Sequence, residues 1–532
     1  MNCTTSFIPY AKTGYFSKIV LDYISQQQAI QPFYQHPVSL QGIKDSIASR
    51  NQFTTDRNLL VTVLQKQYAG VEVSPSVAAN ITLLRQSNTY TICTAHQPNI
   101  FTGPLYLIYK ILHAAKLAEA LKQQLPENNF VPVYYMGSED ADLDELGHIF
   151  IGGQKYEWLT SQTGAVGRMM VDKAIVKLLQ DLSGQLLVHP FGAEILALMQ
   201  HCYQEGTTVE QATFQLVNAL FADYGLVILL PDNAELKNAF APVIQKELTE
   251  AFSHKAVQEI ISNFPADYKV QASGRELNMF YLYNNRRQRI ETNNEEWVVV
   301  DTDIKFSRHE IIAELKVHPE RFSPNVILRP VFQEWVLPNI AFIGGGGEIA
   351  YWLQLKKVFE ASGTPYPVLI LRNSFMFIEK EIKTLTHKLK LDQKELFKSE
   401  LAIMNGLVKR DSVHQVDLVK EREQLTEFYE KLTLIAGKID ITLQGYTAAL
   451  QTQAVKKLVA LEKKLLRAEK RKYEAGQRQL KKIKEKLFPN NNLQERIDNL
   501  MPYYAKWGKD FIRMLYDHSE ALDMQFGIMV EE

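Results

Sequence analysis

A short β-rich run at Tyr90–Ala95 is followed along the chain by short apolar runs at Val131–Met136, Leu226–Leu230, Ile340–Ile343 and Pro367–Leu371. Runs of this length without polar alternation are typical of strands in a parallel sheet, whose two faces are both covered. After the first run, His96–Asn99 is a polar turn and Gly103-Pro104 a helix start. Leu105, Ile108, Leu112 and Ala115 then recur at helical spacing and predict a helix over 104–124. With a break at Pro126–Asn129 and the next strand at 131–136, this is a βαβ unit with parallel strands. Ser323–Pro330 reads as a further strand with Arg329 near its end. Residues 1–90 read as helical, with a helix from Ser74-Pro75 through Val77, Ile81 and Leu84 leading into the first strand. Residues 151–220 read as a small β-rich insertion followed by helices.

Beyond about residue 380 the strand signals stop and Lys, Glu, Gln and Leu dominate. Leu458, Leu461, Leu465 and Ala468 keep heptad spacing, and Leu466, Tyr473, Leu480, Ile483 and Leu487 continue it in a shifted frame. That is a coiled coil carrying a discontinuity. Residues 451–490 hold 13 Lys+Arg against 4 Glu. A solvated coiled-coil face explains this charge better than an RNA-gripping arm, because aromatic side chains for base stacking are nearly absent there. The polar, aromatic segment after Pro489 is expected to fold back on the core. The predicted fold class is α/β: a Rossmann-like parallel-sheet core over 1–380 with insertions near 151–220 and 235–295. A helical coiled-coil dimerisation domain over 381–488 and a returning segment over 489–532 complete it.

Composition mainly excludes. A chain of 532 residues is too long for one compact core. A net charge of -1 gives the whole molecule no attraction to nucleic acid or an anionic membrane. The cysteines, Cys3, Cys93 and Cys202, contain no CxxC pair, which argues against a disulfide framework and a cysteine-rich zinc site. With no signal-like N-terminus and no apolar run of membrane-spanning length, a cytoplasmic location is expected.

Candidate chemistry concentrates at three strand ends. The first carries His96, Gln97, Thr102 and Gly103. The second is the loop Gly137–His148, where Glu139, Asp140, Asp142, Asp144 and Glu145 crowd together. Carboxylates so close raise each other's pKa unless cations compensate, which suits a site for an amine, a metal or a general base. The same acids would also complement a helix N-terminus capped by Ser138. The third is the glycine run Gly344–Gly347 with Glu348, entering a helix where backbone N–H groups can approach an anion. It is not a P-loop, since no Gly-Lys-Ser/Thr follows. Arg329 and Arg372 lie at neighbouring strand ends, and Arg275, Arg286, Arg287 and Arg289 surround a basic hairpin. Lys305–His309 faintly resembles the KMSKS signature of class I aminoacyl-tRNA synthetases, but Ser307-x-x-Glu310 reads better as a capping box.

Four blocks in order, TAHQPNIFTGPLYLIYK, VPVYYMGSEDADLDELGH, SPNVILRPVFQEWVLPNIAFIGGGGEIAYWLQL and LFPNNNLQERI, resemble the cysteine ligases of bacillithiol biosynthesis over almost the whole chain. The resemblance implies a Rossmann-type core with inserted segments and a coiled coil through which the chain forms a homodimer. It also implies a ligase that adds L-cysteine to the amino group of glucosaminyl-malate. This chain has Ala141 where the family carries a histidine, so no catalytic histidine is expected at that position. On this reading ATP activates the cysteine carboxyl, and His96 with the 103–105 helix start binds phosphates. Glu139 or Asp140 holds the cysteine ammonium or takes the proton from the attacking amine, with Gln97, Thr102, Asp144 and His148 lining the substrate. Gly345, Gly346, Gly347 and Glu348 cradle a second anion or ribose, and Arg329 or Arg372 meets the malate carboxylates. A second position for the nucleotide lies at Asn490, Gln494 and Arg496. No metal is expected, and thiol selection rests on pocket shape. Two rival classes remain: a tRNA-synthetase-like adenylating enzyme that grips RNA, and a non-catalytic dimeric nucleotide-binding module. The absent KMSKS argues against the first. The second predicts that the three strand ends do not converge.

Overall fold

The computed structural model describes residues 2–293 and 296–532, so the insertion boundary expected at 295 lies outside the described residues. The chain forms two compact units, Met1–Met376 with Asn492–Met529, and Phe377–Asn491 with Val530–Glu532. The first is built on five strands, β1 (Thr89–His96), β2 (Asn129–Met136), β3 (Val227–Leu229), β4 (Asn339–Gly344) and β5 (Val368–Leu371). They pair in the order β3-β2-β1-β4-β5, and every pairing is parallel. This is the strand order of a Rossmann mononucleotide-binding half, with its switch point between β1 and β4. Four helices border the carboxyl edge of this sheet or cover its faces: α1 (Tyr106–Gln124), α2 (Ala234–Glu250), α3 (Arg329–Val336) and α4 (Gly346–Trp352).

The apolar runs become strands because both faces are covered. Ile92, Ile343 and Ile370 share a core with Leu117 and Leu121 of α1. Each such aliphatic side chain contributes about 1.5–3 kcal/mol when fully buried. Pro132 is tolerated inside β2 because pairing with β3 begins only at Val133, so no β3 carbonyl is left waiting for its missing N–H.

Between β3 and β4 the chain builds α2 and an antiparallel sheet of Met279–Tyr283, Arg286–Asn293, Glu296–Val299, Lys305–Phe306 and Phe322–Pro324. This corrects the expected strand over Ser323–Pro330. Only Phe322–Pro324 is extended, it pairs antiparallel with Met279–Tyr283, and Arg329 opens α3. Pro330 in the first turn of α3 is where a helix accepts proline without losing a hydrogen bond. The helical reading of 1–90 misses the strand Cys3–Ile8, whose small polar side chains (CTTSFI) hide its alternation. A second missed strand is Phe526–Glu531. Ser307 does form the capping box with Glu310.

The second unit is helical, with α5 (Val419–Ile439), α6 (Leu443–Lys470) and α7 (Glu474–Leu487). Helices α5 and α6 pack along each other. The expected discontinuity is a 3-10 turn at Arg471–Tyr473, after which Leu480 joins Ile403, Met404, Leu407 and Val408 in a small core. Among the described residues no helix is long and apolar enough to cross a membrane.

Candidate active site

A cavity of about 650 Å³ opens in the first unit at the carboxyl ends of the parallel strands. His96 and Gln97 reach it from the end of β1, Gly137 and Asp140 from β2, Gly345–Glu348 from β4 and Arg372 from β5. The three expected junctions therefore converge at the β1/β4 switch point, where open α/β sheets bind ligands. The antiparallel sheet and its approach add Arg275, Arg287 and Arg289, while α1 adds Lys110, α3 Arg329 and the returning segment Arg496. Seven cationic and three acidic side chains face the cavity, which makes it a receptor for anions.

Asp140 is the electrostatic hub. It accepts from Arg329 Nη1 at 2.7 Å, from Arg329 Nη2, and from Gln97 Nε2 at 3.0 Å, and Arg287 Nη1 lies 3.4 Å away. Three hydrogen bonds and the Arg287 ion pair occupy most of the carboxylate's acceptor capacity, so Asp140 is poorly placed to take an ammonium as well. Burial alone would raise its pKa, but Arg329 and then Arg287 and Gln97 overcome burial and hold it below the usual carboxylate range. Arg287 is further fixed by Ser323 Oγ at 3.0 Å and Pro324 O at 3.1 Å. Asp140 and the strand end thus present two guanidinium forks in fixed orientation.

Arg372 is held the same way. Its Nη2 donates to Glu495 at 2.7 Å and its Nη1 to Ser374 Oγ at 3.0 Å. Its backbone N–H bonds Gly344 O at 2.8 Å, tying the ends of β5 and β4 together. At the glycine run, Glu348 accepts from the Gly345 N–H at 2.8 Å and pairs with Lys110. The start of α4 is thus filled by its own carboxylate. Gly347 contributes space, since a Cβ there would meet nothing within 4 Å. Lys110 is 2% exposed and also donates to Ala95 O at 2.9 Å, with burial lowering its pKa against the pull of Glu348.

His96 packs edge-on against Tyr106, with ring centroids 5.1 Å apart. Its Nε2 is shielded from solvent without a hydrogen-bond partner. Burial first, and then Lys110, hold it well below the usual imidazole pKa, so the ring is neutral at physiological pH. Three guanidiniums are held less firmly: Arg275 and Arg289 share one exposed partner, Glu291, at 3.7 and 3.3 Å, and Arg496 has no ion pair among the described residues. The acid left open in the cavity is Glu145, whose pKa is raised by burial, Asp142 and Asp140.

Other expected site residues lie elsewhere. Glu139 turns inward and pairs with Lys237 instead of facing the cavity. Thr102 is fully buried outside the cavity lining, its Oγ1 without a hydrogen-bond partner, and Gly103 is engaged by the returning segment: Asn499 Nδ2 bonds Phe101 O at 2.8 Å and Gly103 O at 2.7 Å, and Leu105 N–H bonds Asp498 O at 2.8 Å. The Leu105 N–H of the helix start is therefore already taken by the returning segment and is not free for a phosphate. Gly103 needs its glycine, with φ +59° and a hypothetical Cβ 2.6 Å from that of Asn99. Asp144 is exposed, and His148 Nδ1 bonds its carbonyl at 2.8 Å, outside the cavity. The acidic loop does start a one-turn helix, Leu143–Leu146, but its cap is Asp142 and not Ser138. Gln494 is buried away from the cavity lining, and Asn490 belongs to the second unit. Sequence reasoning missed Lys110 and Glu145. The signal for Lys110 was a lone lysine inside the apolar stretch LIYKIL; nothing distinguished Glu145 from its acidic neighbours.

Comparison with known proteins gives this geometry a family. The N-terminal Rossmann-like domain of bacillithiol biosynthesis BshC matches residues 1–373, and the C-terminal coiled-coil domain of BshC matches residues 375–531. The chain belongs to the BshC family. A Flavobacterium johnsoniae protein named "Putative cysteine ligase BshC" is 38% identical over 527 residues, 99% of each chain. Its namesake in Christiangramia forsetii is 36% identical over 532 residues, again 99% of each, and that of Chlorobaculum tepidum is 30% identical over 97% of each. The protein is accordingly a ligase with a Rossmann-like core and a helical coiled-coil domain.

Proposed function

We propose that the protein joins the carboxyl of L-cysteine to the amino group of glucosaminyl-malate, forming the amide of bacillithiol, with ATP activating the carboxyl as an acyl-adenylate. The observation that carries this reading is the excess of cations in the strand-end cavity, divided into anchored and less firmly held guanidiniums. An amine does not displace oxygen from a carboxylate at neutral pH, so activation has to come first: the carboxylate oxygen bonds the α-phosphorus of ATP and pyrophosphate leaves. The amine nitrogen then bonds the carbonyl carbon, the C–O bond to AMP breaks, and the nitrogen loses a proton.

The chain's own residues divide this work. Arg496, without an ion pair among the described residues, and Arg275 and Arg289, held only by the exposed Glu291, receive the malate carboxylates, since such guanidiniums are available for bidentate capture of an incoming anion. Anchored Arg329, Arg287 and Arg372 already have fixed forks and face the charge that builds up on the carbonyl and phosphate oxygens, where preorganised donors count most. Arg329 and Arg372 therefore move from the expected role of binding malate to that of stabilising charge. Glu145 takes the cysteine ammonium, because Asp140 is mostly occupied and Glu139 is buried. Neutral His96 accepts the amine proton. Thiol profiling by mass spectrometry in cells lacking the gene tests the whole: loss of bacillithiol with accumulation of glucosaminyl-malate is expected. Unchanged bacillithiol would end the proposal.

The coiled-coil helices support a homodimer. Phe428, Ile435, Ile439, Ile441 and Tyr446 are each more than half exposed, an apolar surface unusual for a helix pair that stays alone in water. Light scattering should give twice the chain mass, falling to one chain mass for Ile435→Asp/Ile439→Asp.

A further inference from the structure

Behind the acidic loop, away from the cavity, four charged side chains form a chain that backbone hydrogen bonds close into a ring. Lys237 on α2 is 1% exposed and donates to Glu139, to Asp232 Oδ1 at 2.9 Å and to Glu320 O at 2.9 Å, using all three ammonium protons. Asp232 in turn takes a bidentate grip from Arg168, with Nε–Oδ2 at 2.6 Å and Nη2–Oδ1 at 2.8 Å. The 3-10 turn that carries Arg168 returns to the loop through its backbone: Gly167 N–H bonds Ser138 O at 2.9 Å and Val166 N–H bonds Asp140 O at 2.8 Å. Gly167 permits this closeness, since a Cβ there would stand 2.6 Å from Ser138 O.

Thus Ser138, Glu139 and Asp140 are each gripped from the buried side, and the ring carries two positive and two negative charges. Nearby Glu210 has its pKa pushed up to about 7, by burial first and then by Asp232 and Glu139, against the opposing pull of Ser138 and Arg168. So costly an arrangement of buried charge, on a loop that a neutral turn could equally well have closed, calls for a reason beyond stability.

The geometry points to Lys237 as a positioning residue: through Glu139 and the Asp232–Arg168 pair it fixes the loop that carries Asp140, and through Asp140 it sets the orientation of Arg329 and Arg287 at the reacting centre. The inference rests on the ligase reading of the cavity for its kinetic consequence, but the mechanical part stands without it. A loosened loop leaves Arg275, Arg289 and Arg496 untouched, so ground-state binding persists while the preorganised forks lose their aim. Misplacement on the ångström scale costs on the order of 10- to 100-fold in rate.

The test uses the full-length protein as Lys237→Met and, in case an unpaired buried Glu139 prevents folding, as the charge-balanced double variant Glu139→Gln/Lys237→Met. Arg50→Met is the control. It breaks another buried pair, Arg50–Glu334, at the amino end of β4, the far end of the sheet from the cavity. Hydrogen exchange of peptides spanning 136–142 and 163–169 should speed up at least tenfold in the Lys237 variants and stay unchanged in Arg50→Met. Their kcat should fall 10- to 100-fold with the KM values for L-cysteine, glucosaminyl-malate and ATP within about threefold of wild type, and Arg50→Met should keep its kcat. Slow exchange in those peptides, or equal kcat losses in the Lys237 and Arg50 variants, would overturn the positioning role. If the wild type forms no amide, the ligase reading fails while the exchange result still decides whether Lys237 holds the loop.

Discussion

Replacing Asp140 by asparagine keeps the shape of the hub and removes its charge, leaving Arg329 and Arg287 facing each other with no counter-ion. The Asp140–Arg329 pair is largely shielded, with side-chain exposures of 16% and 20%. Breaking a buried pair by removing one partner costs about 3–5 kcal/mol, and the residual exposure argues for the lower end, about 3. With an unfolding entropy near 2 cal/mol/K per residue over the roughly 400 residues of that unit, the melting midpoint drops by about 4 °C. The sign of the pH dependence is set by the depressed pKa of Asp140. Its contribution is complete above the unfolded value of about 4 and disappears as pH falls through the lower folded value. Scanning fluorimetry from pH 8 to 5 should therefore show a constant gap between wild type and Asp140→Asn, narrowing only below about pH 4. Because the anchored forks act on developing charge, kcat should also fall on the order of 100-fold. A variant with wild-type melting and wild-type kcat would refute the hub.

The same partition of charges has consequences at other positions. Arg496→Ala should raise KM for the anionic sugar substrate by about 10- to 100-fold, the worth of a charge-assisted contact, with little change in melting because the side chain is exposed; steady-state kinetics with that substrate varied will tell. Glu145→Gln should raise KM for L-cysteine and leave that of the sugar substrate alone, and the opposite pattern would reassign the ammonium site. His113 of α1 accepts from Asn373 N–H at Nδ1 and donates from Nε2 to Ala521 O, which requires the neutral ring. Burial pushes its pKa down to about 4, so stability is complete above the unfolded value of about 6.5 and declines by up to about 3 kcal/mol as pH falls toward 4. An NMR titration midpoint for His113 near 6.5 would contradict this.

Much of the core was legible because parallel strands must be apolar on both faces, and β1, β2, β4 and β5 appear as short β-rich or apolar runs ending in polar turns. Their spatial order was not, since nothing along the chain states that β4 lies beside β1 after an intervening sheet. Ser323–Pro330 misled because an apolar run of strand length also serves a short strand followed by a proline-started helix. At the site, residue types pointed to the right loops but not to which way each side chain turns. Glu139 and Asp140 are adjacent and face opposite directions, one to Lys237 and one to Arg329. Lys237 itself lies 98 residues from Glu139 in a helix whose sequence looks ordinary. The helix start at Gly103 was a reasonable anion site until Asp498 and Asn499, from the far end of the chain, occupied it.

Purified protein incubated with L-cysteine, glucosaminyl-malate and ATP, with mass spectrometry of the products, addresses the cavity's role most directly. Bacillithiol and AMP should form in equal amounts from the wild type, with the rate reduced on the order of 100-fold in Asp140→Asn. Bacillithiol made as fast by Asp140→Asn as by the wild type, or no amide from the wild type at all, would contradict the assignment of this cavity as the ligase site.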